Sequence, residues 1–311
     1  MLHFSLPKLL ILALCLASWS SAFGATVALV LTERSAAYLE FAKSITAELE
    51  RTGLPPGEIT QLVAAEQPAA DLAALQAKVF VTVGSDAFRR LLVQEVRTPV
   101  IAALLPKAGF ERLVREHSRR APGTISAVYL DQSIQRRVEL IRLALPNAKS
   151  VGVLLGPDSV ASQASIGQAL LARGLAMESN LVPDASALFG GLKVVLEEAD
   201  VLMAVADPMV YNSSTIANIL LTTYRAGIPM LAVSPAYVKA GALLAIYATP
   251  QQIGLQAATM ARQVLQGAVL PAPQYPLEFE ISVNEHVARS LGLKIDAQTL
   301  TDRLLAAGRR P

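Results

Sequence analysis

Short, unbroken apolar runs alternate along this chain with longer stretches in which apolar residues recur every three or four positions. The first run, Thr-Val-Ala-Leu-Val-Leu at 26–31, is continuous and rich in β-branched residues, the pattern of a strand buried on both faces. Behind it, residues 38–51 carry Leu39, Ala42, Ile45 and Leu49 at helical spacing, and Gly53 stops them. The same alternation predicts strands at 58–63, 79–83, 99–105, 124–130, 151–155, 176–182, 201–205, 230–233 and 243–247. It predicts helices at 69–77, 86–96, 110–118, 133–145, 159–173, 186–198, 213–226, 250–266 and 284–291. Pro146, Gly174, Gly227 and Gly267 close four of them. Residues 278–283 alternate and suit an edge or crossover strand, and 297–310 read as a loosely attached helix.

Nearly every strand is followed by a helix, which implies parallel strands with helices on both faces. About ten such units exceed one open sheet of ordinary size, so the expected fold is α/β, two doubly wound parallel-sheet lobes. Pro122-Gly123 is a place for the chain to change lobes. An eight-fold barrel is the competing architecture, and the strand count fits it less well.

Composition narrows the function. Of 311 residues, 53% are hydrophobic and 17% charged, which excludes a disordered tail. A net charge of +2, with no basic stripe, excludes nucleic acid as a partner. One cysteine, Cys15, excludes a disulfide scaffold and a cysteine-based zinc site. Residues 1–24 read as a signal peptide: Lys8 supplies the basic charge, an apolar run follows, and Ser20-Ser21-Ala22 offers a cleavage site. The alternatives are an uncleaved anchor and, less well matched because Leu14 precedes Cys15, a lipoprotein. Cleavage would leave 26 basic and 25 acidic residues, with no cysteine or tryptophan, in a periplasmic protein.

Phosphate-cradling, dinucleotide and nucleophile-elbow motifs are absent, and the two histidines beyond the signal, His117 and His286, lie far apart in charged helical contexts. The expectation is therefore no cofactor, no metal and no enzyme; the enzyme alternative would use Asp207 or Asp158 as a general base. Ligands of parallel sheets sit beyond the carboxyl ends of the strands. The turns there supply ten candidate ligand contacts: Thr32, Ser35, Ser85, Asp131, Asp158, Asp207, Tyr211, Asn212, Ser234 and Tyr237. Helix capping accounts equally for short polar side chains in such turns, with Ser85, Ser133, Ser159 and Ser213 suited to it. Tyr129, Tyr211, Tyr237 and Tyr247 all fall at strand ends, where an aromatic ring with a polar tip can stack on a ligand.

Residues 126–292 carry a more specific pattern. It runs through Ala127-Val128-Tyr129-Leu130-Asp131-Gln132, then Leu145-Pro146-Asn147-Ala148-Lys149-Ser150-Val151-Gly152-Val153-Leu154, Ala206-Asp207-Pro208, Tyr224-Arg225-Ala226-Gly227-Ile228-Pro229-Met230 and Ser234-Pro235-Ala236-Tyr237. In this the chain resembles the ABC-transporter substrate-binding proteins of the type I periplasmic-binding fold, in the family that includes tryptophan-binding lipoproteins. The resemblance implies two lobes joined by three crossovers, near residues 121–131, 245–250 and 271–280. It implies lobe 1 from 25–125 and 250–276, lobe 2 from 126–249 and 277–295, and a C-terminal tail at 296–311. The implied function is a periplasmic receptor that clamps an amino acid or other small polar or aromatic solute and serves a membrane permease of an ABC importer. Asp207 then matches an acidic position suited to an α-ammonium group. The alternative is a periplasmic sensor feeding a signalling partner.

Overall fold

The computed structural model of the chain describes residues 26–67, 72, 75–94, 97–117 and 123–308. In order, the elements are β1 (Val27–Leu31), α1 (Ala36–Arg51), β2 (Ile59–Val63), β3 (Val79–Val83), α2 (Ser85–Val93), β4 (Val100–Ala103), α3 (Lys107–His117) and β5 (Ile125–Val128). Then come α4 (Ile134–Ala144), β6 (Ser150–Leu155), α5 (Gln163–Leu171), β7 (Ala176–Leu181), α6 (Leu188–Glu198), β8 (Val201–Met203), α7 (Ile216–Ala226), β9 (Met230–Ala232), α8 (Pro235–Ala240) and β10 (Leu244–Tyr247). The chain ends with α9 (Pro250–Leu265), β11 (Glu280–Val283), α10 (Glu285–Ser290) and α11 (Ala297–Gly308). The expected signal at 1–24 and most of the expected helix at 69–77 lie outside the described residues.

These elements form two α/β lobes. The first sheet has the order β2-β1-β3-β4-β5, with every pairing parallel. Its strands read as continuous apolar runs because helices cover both faces. Phe41, Ile45 and Leu49 of α1 join Ile253, Ala257 and Ala261 of α9 over one face. Phe88 and Leu91 of α2, with Phe110 and Leu113 of α3, cover the other. Gly254 lets α9 lie directly on α1, since a Cβ there would meet the Phe41 carbonyl at 3.1 Å.

The second sheet has the order β11-β10-β9-β8-β6-β7; all pairs are parallel except β10 with β11. The antiparallel strand is the alternating segment expected at a sheet edge. Both sheets reverse their strand order, between β1 and β3 in the first and between β6 and β8 in the second. These are the switch points at which ligands of such folds bind.

The chain passes between lobes three times: after β5, after β10, and between α9 and β11. The first and third passages run side by side, with Tyr129 N–H donating to the Gln274 carbonyl at 2.9 Å and Gln274 N–H to the Ala127 carbonyl at 2.8 Å. β5 pairs with β4, so residues 126–128 belong to the first sheet rather than to the second lobe.

Four local expectations change. Gly84, with φ +87°, occupies the cap position of α2, and Ser85 is the first helical residue, exposed to solvent. The segment after Ser159 begins as a 3-10 turn, Val160–Ser162, before α5. The helix α8 is absent from the apolar periodicity because it has only six residues and opens on Ser234-Pro235. The expected loose tail helix is instead docked, with Leu300 and Leu304, one turn apart, buried in the core of the second lobe.

Candidate functional site

A cleft of about 520 Å³ opens between the lobes on the carboxyl side of both sheets, within the size range of small-molecule sites. Its first-lobe wall comes from Ala37, Tyr38 and Glu40 of α1 and from Leu104 behind β4. Its second-lobe wall comes from Arg137, Ala206, Val233, Ser234, Pro235, Ile246 and Tyr247. Leu130, Asp131, Gln132 and Ala248–Pro250 belong to the passages between lobes and form its back. A smaller compartment of about 90 Å³ continues past Asp131, Gln132 and Arg137 towards Lys107, Ser159, Ser162 and Tyr275. Leu104 is the non-glycine residue with positive φ among the described ones, at +54°. Left-handed backbone at a branched, buried residue is strained, and it lies here where β4 delivers the chain into the cleft.

The most enclosed charges of this cleft are Asp131 and Arg137, set among the polar Gln132, Ser234 and Thr249 and an apolar and aromatic surround. Arg137 is the fourth residue of α4, positioned by the Ser133 cap, whose Oγ accepts from Arg136 N–H at 3.3 Å. Arg137 is 7% exposed, and its guanidinium donates to the carbonyl of Ala204, past the end of β8. Asp131 lies at the N-terminus of α3, where its carboxylate accepts from Lys107 N–H at 2.6 Å. Burial pushes the Asp131 carboxyl above its ordinary range, while Lys107 N–H and the Arg137 charge act against that rise. The direct partners of the two side chains are Lys107 N–H and the Ala204 carbonyl, not each other. Tyr247 Oη donates to Glu280 at 3.1 Å, which leaves the ring as the surface offered to the cleft. Burial, with Asp131 and Glu111 nearby, pushes the Tyr275 hydroxyl up to about 12.

Of the ten candidates, Asp131 and Ser234 line the cleft. Ser234 occupies the cap position of α8, yet its side chain makes no capping bond. Thr32 and Ser35 stand beside the cleft in capping roles: Thr32 Oγ1 donates to the Val83 carbonyl and accepts from Ala87 N–H, and Ser35 Oγ accepts from Tyr38 N–H. Asn212 closes its own turn, accepting from Ser214 N–H and donating to the Pro208 carbonyl. Ser85 faces solvent. Tyr211 is buried in the second-lobe core, and Tyr237 packs partly buried against that core. Asp158 forms a 3.1 Å ion pair with Arg112 of α3, a contact that crosses from one lobe to the other.

Asp207 is the main correction. It is 2% exposed and does not line the cleft. One carboxylate oxygen accepts from Ser159 N–H at 2.9 Å, Ser159 Oγ at 2.8 Å and Asp158 N–H at 3.1 Å; the other accepts from Met209 N–H at 3.0 Å. The chain's own carboxylate thus fills the ring of amides at the second switch point, where an external anion would otherwise sit. A Cβ on Gly156 would run into this carboxylate, which explains the glycine at the end of β6. Arg137, Gln132, Tyr38 and Thr249 are cleft residues absent from the candidate set. Arg137 left a signal: with Ile141 and Ala144 it falls on the buried stripe of α4, where an arginine is out of place unless it serves something.

A family model described as ABC transporter substrate binding protein matches residues 60–303. The tyrosine-binding protein of Clostridioides difficile strain R20291 is 26% identical over 184 residues, which are 55% of this chain. The chain spans about half the length of that curated relative, 51%. Solved structures that share the fold include the following two. One is a Streptococcus pneumoniae ABC domain in complex with L-Trp, at 20% identity and TM-score 0.64, covering 89% of this chain and 98% of the other. The second is a ligand-free, open substrate-binding protein with adhesive properties from Clostridium difficile, at 19% identity and TM-score 0.67, covering 87% of this chain and 96% of the other.

Proposed function

The chain belongs to the ABC transporter substrate-binding protein family, and from that premise we propose that it is a periplasmic receptor that clamps an aromatic amino acid between its lobes for a membrane permease. The observation that carries this reading is the cleft itself. It sets one buried cation, Arg137, and one partly buried acid, Asp131, beside the polar side chains of Gln132, Ser234 and Thr249 and an exposed Glu40, on a surface whose apolar and aromatic part includes Tyr38, Leu104, Leu130, Val233, Ile246 and Tyr247. A zwitterion with an aromatic side chain matches both halves. Its carboxylate meets the planar fork of Arg137. Its ammonium meets Asp131, and its ring lies among the tyrosines and aliphatic side chains. The relatives that carry L-Trp or are called tyrosine-binding support the same ligand class.

In this reading the ligand is bound and released chemically unaltered. The lobes approach about the three passages and water leaves the cleft, while the Arg112–Asp158 pair already links the lobes. A permease then reads the closed shape. No described helix is long and apolar enough to cross a membrane.

Calorimetry and melting against amino acids test this reading. L-tyrosine, L-tryptophan or L-phenylalanine at 100 times its dissociation constant is expected to stabilise the protein by about 2.7 kcal/mol, or roughly 5–10 °C. Ribose and L-aspartate are expected to give no shift. Acidity supplies a second signature. The Asp131 carboxyl is raised by burial, so the folded, ligand-free chain holds that proton more tightly than the unfolded chain. Ligand-free stability therefore falls as pH climbs from the ordinary carboxylate value through the raised one. Affinity for the ammonium group rises across the same window, because only the ionised form attracts it. Asp131→Asn is expected to flatten both slopes; an affinity profile unchanged by that substitution removes Asp131 from the ammonium site.

A further inference from the structure

We infer that Gln132 is a specificity residue of the cleft, whose side-chain amide donates a hydrogen bond to an acceptor oxygen on the ligand. The inference rests on the reading of the cleft as an amino-acid site. Gln132 is 4% exposed and lines both compartments, between Asp131 and the approach to Arg137. Its Oε1 accepts from Arg136 Nη1 at 2.5 Å. An arginine has only donors, so this contact decides which end of the amide is oxygen and which is nitrogen. The nitrogen end, Nε2, is buried and has no hydrogen-bond partner among the described residues.

The orientation is held from behind. Arg136 Nη1 also donates to the Pro276 carbonyl at 2.9 Å and Nη2 to the Leu277 carbonyl at 3.4 Å. Its guanidinium lies 4.8 Å from the centre of the Phe279 ring. All three anchors are on the third passage between the lobes. The amide therefore cannot turn to satisfy its own donor without giving up Arg136. An unmet buried donor carries a desolvation cost that an incoming acceptor removes, so ligands with a carboxylate or carbonyl oxygen at this point are favoured over those without one. The same wiring ties the ligand's acceptor to the third passage between the lobes.

The test compares wild type with Gln132→Glu and Gln132→Met by titration calorimetry against L-tyrosine and L-tryptophan, with ligand-free melting as the second arm. Gln132→Glu keeps the contact with Arg136 but presents oxygen to the cleft, and roughly 10-fold or greater weakening is expected. Gln132→Met removes the donor and is expected to weaken binding to a similar degree. Melted without ligand in an Arg136→Met background, which has already lost the Oε1 contact, Gln132→Met is expected to change the melting temperature by no more than about 2 °C, because the donor it deletes is unpaired. Either variant binding within about two-fold of wild type overturns the inference. So does a ligand-free loss of more than about 5 °C on adding Gln132→Met to the Arg136→Met background, which would mean that the amide nitrogen is satisfied inside the fold. If wild type takes up neither amino acid, the amino-acid reading fails by itself; the melting arm then still decides whether the donor is unpaired, as the inference requires.

Discussion

Arg137→Met is expected to weaken binding of an aromatic amino acid by roughly 100- to 4,000-fold while leaving a folded protein. The estimate follows from breaking a buried charge pair on one side. Removing one partner costs about 3–5 kcal/mol, since the charge left behind has lost its compensation and cannot reach water. Here the charge left behind is the ligand carboxylate, and Asp131 loses a neighbour that opposes its raised pKa. The fold itself loses less. The Ala204 carbonyl gives up a donor, but the cost of burying the guanidinium disappears with it. Methionine fills the same length without charge. Arg137→Lys is expected to recover only part of the affinity, because a point charge cannot make the two parallel bonds of the fork. Calorimetry of the three proteins, with a thermal melt of each, checks the split. A dissociation constant for Arg137→Met within about three-fold of wild type would remove the arginine from the ligand site.

Asp207→Ala is expected to do the reverse, with a large loss of stability and a secondary loss of affinity. Its carboxylate takes four donors from three residues, Asp158, Ser159 and Met209. It fastens the turn after β6 to the turn after β8, two strands that are neighbours in the second sheet. Hydrogen bonds to a charged group contribute about 1.5–3 kcal/mol each and do not add fully, so a loss of about 3–5 kcal/mol is reasonable. For a lobe of this size that lowers the melting temperature by roughly 6–20 °C. Asp207→Asn keeps one acceptor and is expected to fall between the two. Differential scanning calorimetry checks this. A melting temperature within about 2 °C of wild type, together with a lost affinity, would return Asp207 to the ligand.

The contrast between these residues shows what the sequence conveys. The strands were legible because a parallel strand covered on both faces has no polar face to hide: Val-Ala-Leu-Val-Leu and Val-Phe-Val-Thr-Val read directly as β1 and β3. The strand ends, and so the neighbourhood of the cleft, followed from the same runs. The direction of a side chain at a strand end did not. Asp131 and Asp207 both follow a strand, and both are carboxylates before a helical turn. One lines the cleft, and the other is consumed by the amides of its own turns. Only the positions of backbone N–H groups from a separate strand decide between them, and those are set by tertiary structure.

Arg137 was hidden for a different reason. Gln-Arg-Arg-Val-Glu-Leu-Ile-Arg looks like an ordinary helix with a solvated charged face, yet Arg137 keeps the phase of Ile141 and Ala144 rather than that of its charged neighbours. The docked α11 follows the same lesson, since Leu300 and Leu304 form a short apolar stripe that an exposed tail would not need.

The most direct measurement is a crystal structure of this chain grown with L-tyrosine or L-tryptophan. The expected result is closed lobes, the ligand carboxylate within hydrogen-bond distance of Arg137, the ammonium on Asp131 and the ring against Tyr38 or Tyr247. Ligand density elsewhere, or an empty cleft at a saturating concentration of either amino acid, would contradict it.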